Sequence, residues 1–153
     1  MIVECCQMLW TAFHLTGKKN WLTQVPKNMK VYKVAHVNHP MCIWVRSDKN
    51  NFKWTAKLAR ELCKQYTKRY GKVHSCYKMV RWFNRNIPRC DEDTTTTSVY
   101  CKYNYPEGCT PPPLCIPQQE YHSRDLVKAY RKYYQGEKIN FAKWRYSRTP
   151  YWW

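Results

Sequence analysis

The chain has 153 residues, with 27 Lys and Arg against 10 Asp and Glu, for a formal net charge of +17. A length of this order suits one domain that buries roughly two thirds of its unfolded surface, which excludes a small scaffold held only by disulfides. No apolar run approaches the roughly 20 residues of a membrane span, which excludes a membrane-spanning helix within these residues. Charge this dense repels itself, and nucleic acid or an anionic membrane surface is the kind of partner that relieves it.

The first predicted element is a helix from Ile2 to Thr16, apolar around most of its circumference and ended by Gly17, and so the expected central helix of the core. Its opening segment, IVECCQMLWTAF, lacks a basic stretch and a small-residue cleavage site and does not read as a signal peptide. A basic loop with Pro26 and the stretch Val31 to Val37 follow. Asn38, His39 and Pro40 form a helix start with proline in the first turn, which predicts a second helix over Met41 to Arg46.

From Asn51 to Tyr70, the residues Phe52, Thr55, Ala56, Ala59, Leu62, Cys63, Tyr66 and Tyr70 recur at three- and four-residue steps. This is the period of a helix with one buried face, and Gly71 closes it. Another face carries Lys53, Lys57, Arg60, Lys64 and Lys68, a cationic row about 22 Å long at about 1.5 Å per residue. Glu61 is its nearby carboxylate. Duplex DNA presents a phosphate about every 1.7 Å of axis, so the row spans several phosphates. A solvated helix face is the plain alternative for five such residues, and the charge of the whole chain favours DNA.

A fourth helix over Ser75 to Arg85 turns Tyr77, Val80 and Phe83 inward and Lys78, Arg81 and Arg85 outward, and Arg81 joins the DNA-binding set. Periodicity disappears from Ile87 to Gln119, where an acidic triplet, a threonine run and Pro111-Pro112-Pro113 make a long irregular loop. Ser123 is the expected cap of a fifth helix, with Asp125 in its first turn, the phosphate-binding candidate Arg131 along it and Gly136 at its end. A sixth helix over Lys138 to Arg145 leads to a tail ending Tyr151-Trp152-Trp153. The expected architecture is all-α, a single compact helical domain over 1–153 with a long Cys-, Pro- and Thr-containing loop at 87–119. Trp10, Trp54, Trp82 and Trp144, each in a predicted helix of apolar period, are expected in the core.

The cysteines number nine. Cys5, Cys6, Cys42, Cys63 and Cys76 fall in predicted helices and read as small buried apolar residues in a reducing compartment. Cys90, Cys101, Cys109 and Cys115, near His122, are the candidates for a zinc knuckle, but none forms a Cys-x-x-Cys pair, and one or two disulfides are the alternative. No cofactor is expected.

Several motifs point to a family. NHPxxxWxR at Asn38 to Arg46, NFKW at Asn51 to Trp54, YxxRYGKVH at Tyr66 to His74, AYRKYYxGEK at Ala129 to Lys138, FAKW at Phe141 to Trp144 and the closing TPYWW resemble a group of phage and large-DNA-virus proteins. That group is related to pyrimidine-dimer DNA glycosylases of the endonuclease V type. The resemblance implies an α-helical enzyme that binds UV-damaged double-stranded DNA, cuts the glycosidic bond and nicks the strand. It further implies a Schiff base between an N-terminal amine and the sugar C1′, for which an amine of pKa about 8 supplies free base near neutral pH. The glutamate that assists this chemistry in the family matches Glu4, the sole carboxylate in the first 47 residues.

Against that family, the chain is expected to lack the N-terminal segment that precedes this helix. Met1 and Glu4 are one helical turn apart, a spacing that brings an amine and a carboxylate together. Glu4 and Arg46 are the catalytic candidates, with Arg46 expected against DNA or against Glu4. The histidines His36, His39 and His74 are expected to bond backbone groups at helix ends. Two functions compete: a DNA-repair glycosylase and lyase, and a noncatalytic basic viral protein that packages DNA or builds the virion among other virion proteins. The resemblance places either in the host cytoplasm or nucleus, or inside the particle.

Overall fold

The computed structural model describes residues 1–90, 108–144, 146 and 148–153. The fold is all-α: α1 (Ile2–Thr16), α2 (Pro40–Ser47), α3 (Lys49–Tyr70), α4 (Tyr77–Phe83) and α5 (Leu126–Glu137). Three short 3-10 turns, Trp21–Gln24, Gln119–Tyr121 and Ile139–Phe141, lie between or after them. Among the described residues there is no strand, and no helix is long and apolar enough to cross a membrane.

The helix ends follow from local chemistry. His39 Nδ1 accepts the Met41 N–H at 3.2 Å, and Pro40, whose missing N–H costs nothing at this position, opens α2. Asp48 accepts the Asn50 N–H at 2.6 Å and starts α3 directly after α2. Gly71 ends α3 at φ 63°, and its N–H reaches the Thr67 carbonyl at 2.8 Å. Gly17 closes α1 in a different way, with an extended backbone at φ −66°. A methyl group there would run into the Phe13 carbonyl and the Trp21 ring, so this glycine is needed for close approach.

Helices α1 to α4 enclose an aromatic core. Trp10 is fully buried, stacks on Trp82 at 5.2 Å between centroids and meets Phe83 edge-on at 4.7 Å. Phe13 packs edge-on against Phe52 at 5.6 Å, joining α1 to α3. Offset and edge-on pairs of this kind add to the burial of the rings themselves. The indole Nε1 atoms find partners: Trp10 on Met79 Sδ at 3.3 Å, Trp82 on the Gln24 carbonyl at 3.2 Å and Trp44 on the Thr110 carbonyl at 2.9 Å.

Several sequence expectations are corrected. The fourth helix is shorter than Ser75 to Arg85, because Cys76 and Asn84 cap it as Tyr77–Phe83. Asp125, not Ser123, caps α5: its Oδ1 accepts the Lys128 N–H at 3.0 Å, while Ser123 Oγ accepts the Asp125 N–H at 3.2 Å. That helix also continues past Gly136 to Glu137. The expected sixth helix is a single 3-10 turn, and Trp144 lies beyond it, half-buried with its ring 5.0 Å from Trp153. Tyr70, read as part of the buried face of α3, is 61 % exposed. In the long loop, residues 91–107, with the acidic triplet, the threonine run and Cys101, lie outside the described residues. From 108 onward the loop is irregular and leads to α5.

Candidate nucleic-acid interface and the groove beside it

The rotation of α3 is fixed by what it buries. Asn51, Phe52, Thr55, Ala56, Ala59 and Cys63 face the core, which turns Lys53, Lys57, Arg60, Lys64 and Lys68 to solvent, and all five are exposed. Caps at both ends hold the rod at its full length, so the row is preorganised. Glu61 Oε1 sits 2.7 Å from Lys64 Nζ and 3.6 Å from Arg60 Nε. The hydrogen bond from Lys64 is the main reason its carboxyl is held below the ordinary carboxylate range. Among the described residues the other ion pair joins Met1 and Glu4, so Lys53, Lys57 and Lys68 stand unneutralised.

Helix α4 ends beside α3. Asn84 Nδ2 donates to the Ala56 carbonyl at 3.1 Å and to the Val80 carbonyl at 2.8 Å, which sets the end of α4 beside the Ala56 turn of α3. Arg81, one turn before Asn84, is exposed, as are Lys78 and Arg85. Arg131 has a different setting. It is half-buried on α5, its guanidinium lies 5.5 Å from the Tyr151 ring and 5.3 Å from the Trp152 ring, and Nη2 donates to the Tyr151 hydroxyl at 3.2 Å. The chain's own tail therefore occupies this cation by cation–π contact.

The two catalytic candidates are not brought together. Glu4 is 61 % exposed, and its carboxylate pairs with the Met1 amine, as the one-turn spacing anticipated. The hydrogen bond from that amine lowers its pKa. Arg46 is half-buried and Nη1 donates to the Val37 carbonyl at 2.7 Å, which fastens the segment before α2 onto that helix. No hydrogen bond or ion pair joins it to Glu4 among the described residues. His39 and His74 bond backbone N–H groups through Nδ1, at 3.2 Å to Met41 and 3.1 Å to Cys76. His36 takes a left-handed φ of 52° at the turn that leads into α2.

Cys5, Cys6, Cys42, Cys63 and Cys76 are all buried, as read from the sequence. Burial pushes the Cys5 and Cys63 thiols up to about 11, so they remain protonated and behave as apolar residues. Among the described residues no three His, Cys, Asp or Glu side chains converge on a point that would hold a metal ion, so Cys90, Cys109, Cys115 and His122 are not assembled there as a zinc knuckle. Cys101, the remaining candidate, lies outside the described residues. His122 Nε2 is 2.7 Å from the Ile116 carbonyl.

A groove absent from the sequence expectations runs between the four-helix body and α5. Its volume is about 660 Å³, and its walls include Met8, Trp44, Trp54, Leu58, Tyr130 and Trp152, with Met1 and Arg131 at its edge. Trp44 and Trp54 meet edge-on at 5.7 Å. The proline-rich segment carries α5 to this position: the Cys115 N–H donates to the Tyr130 hydroxyl at 3.2 Å. The sequence signal for it was weak. Trp54, expected in the core, is half-buried and lines this groove instead, because it lies off the stripe that α3 buries; Leu126, Tyr130 and Tyr134 make an apolar face on α5, but nothing local says that these faces meet. Comparisons with protein-family models, curated proteins and solved structures find no match for the chain. The family resemblance accordingly rests on its motifs.

Proposed function

We propose that the protein binds double-stranded DNA, with the exposed row of α3 and Arg81 of α4 as the contact surface. The observation that carries this reading is the row itself: cations on one capped helix face, with Glu61 as their compensating carboxylate. Such a surface contacts phosphates and displaces counterions, so affinity falls with salt by a logarithmic slope of about 0.9 for each phosphate engaged. Phosphate contacts fix position without reading bases, so the expected binding is tolerant of sequence. In the viral setting that the motifs suggest, this is a packaging or virion role.

Titration of a fluorescent duplex at increasing salt tests the reading. A slope corresponding to several phosphates, lost when Lys53, Lys57 and Lys68 are replaced by Gln, supports it; salt-independent or absent binding refutes it.

One observation favours a second reading, a damage-specific glycosylase and lyase: the Met1 amine and the Glu4 carboxylate are paired, and Met1 borders the aromatic groove. Attack on C1′ requires the amine as free base with its lone pair clear of Glu4, so this chemistry needs the pair to open. Borohydride trapping on a UV-irradiated duplex decides: a covalent, damage-dependent adduct that the Glu4→Gln variant alters supports catalysis, and none leaves DNA binding alone.

A further inference from the structure

The C-terminal end of α3 carries a second recess, about 410 Å³, bounded by Ile2 of α1 and by Tyr66, Arg69, Tyr70 and His74. Arg69 is half-buried, its Nε is shielded from solvent without a hydrogen-bond partner, and its guanidinium forms no ion pair among the described residues. A guanidinium whose Nε–H is shielded without an acceptor is an unpaired charge on the recess wall, and it favours an anion there. Glu4, on the helix that supplies Ile2, is taken by the Met1 amine.

The neighbouring groups are suited to the same ligand. His74 Nδ1 accepts the Cys76 N–H at 3.1 Å, so in the neutral ring the proton resides on Nε2, a second donor on the recess wall. Tyr66 packs 4.8 Å from Tyr70 and 4.8 Å edge-on from His74, which fixes the three rings relative to one another. A planar guanidinium fork, an imidazole N–H and phenol hydroxyls together match an oxyanion with several oxygens, and a guanidinium holds phosphate bidentately. The dipole at this helix end opposes an anion with about half a unit of charge, and the whole charge of Arg69 exceeds it.

We propose that this recess binds the phosphate monoester at the end of a nucleic-acid strand, with Arg69 and His74 as its donors and the exposed Tyr70 ring beside the terminal nucleoside. Position argues for a strand end. Arg69 lies roughly 140° around α3 from the centre of the cationic row, so a backbone that follows the row passes the recess by unless the strand ends or turns there. The inference rests on the reading of nucleic acid as the partner.

Two measurements test it together. Anisotropy compares one labelled duplex carrying a 5′-phosphate, a 3′-phosphate or hydroxyls at both ends, and NMR follows the Arg69 Nε–H signal during addition of inorganic phosphate or deoxyadenosine monophosphate. The expected result is roughly tenfold tighter binding of a phosphorylated end, a preference that Arg69→Gln removes and Arg69→Lys keeps only in part, while hydroxyl-ended duplex binds all three proteins alike. Equal affinity for every end, with an unmoved Arg69 signal, overturns the proposal and leaves the row as the DNA surface. If no duplex binds but deoxyadenosine monophosphate moves the signal, the recess stands as a nucleotide-phosphate site and the duplex reading fails; movement with inorganic phosphate alone, without discrimination between ends, overturns the strand-end assignment.

Discussion

Asn51 is the side chain on which two distant parts of the chain converge. Its Nδ2 donates to the Trp44 carbonyl at 2.9 Å and to Thr110 Oγ1 at 2.7 Å, and its Oδ1 accepts the Thr110 N–H at 3.0 Å. Asn51→Ala removes both bonds to Thr110, while the Trp44 carbonyl keeps the Ser47 hydroxyl, and the expected loss of stability is about 2–4 kcal/mol by urea denaturation. Hydrogen exchange at Thr110 should rise in the same variant; an unchanged rate there would mean that the segment is held by other contacts. The cysteines lead to a prediction in pH. In the unfolded chain Cys5 and Cys63 ionise near about 8.5, whereas the folded protein retains their protons up to about 11. Between those values the unfolded state binds fewer protons, so stability is whole below about pH 8.5 and declines as pH rises toward 11. Thermal melts across that range should show the decline, and Cys63→Ala should make it shallower. At this scale the sequence was legible wherever chemistry is intrinsic to the residue: the five buried thiols, and His39 and His74 at their helix ends, behave as their types suggest. Asn51 was not legible, because an Asn inside an amphipathic stripe does not announce a partner 59 residues away.

The helices with strong local punctuation were read almost to the residue. Ile2–Thr16 combines an apolar run with a terminal glycine, and α3 combines a regular apolar stripe with Gly71. The two glycines nevertheless do different work, and substitution separates them. At Gly71 an added methyl meets nothing within 4 Å, so Gly71→Ala should cost only the left-handed backbone strain, about 1 kcal/mol. Gly17→Ala forces the Trp21 ring or the Phe13 turn to move and should cost more, a ranking that denaturant midpoints of the two variants will show. Where the punctuation was ambiguous the reading drifted. Ser123 and Asp125 both cap well, and the backbone selected the second; the segment after Gly136 has helix-forming residues but too little chain to pack them against, and it forms one 3-10 turn.

At the scale of the molecule, the cationic row and the aromatic groove are built in different ways. The row on α3 was visible in the sequence because helical period alone aligns it, whereas the groove depends on the path of a proline-rich connection and stayed hidden. The row also grades its members. Lys57→Gln should lower the salt slope of duplex binding by about 1, while Lys64→Gln should lower it by less, because Glu61 already offsets that charge. Equal slopes for the two variants would remove Glu61 from the electrostatics of the surface.

The distribution of tryptophan has a practical consequence. Trp10, Trp21 and Trp82 lie together in the core, while Trp44, Trp54 and Trp152 border the groove. The protein thus carries two optical reporters with separate addresses. Filling of the groove or release of the tail from Arg131 should change emission from the second set alone, whereas unfolding changes both, so label-free emission of Trp54→Phe and Trp152→Phe variants separates occupancy from unfolding.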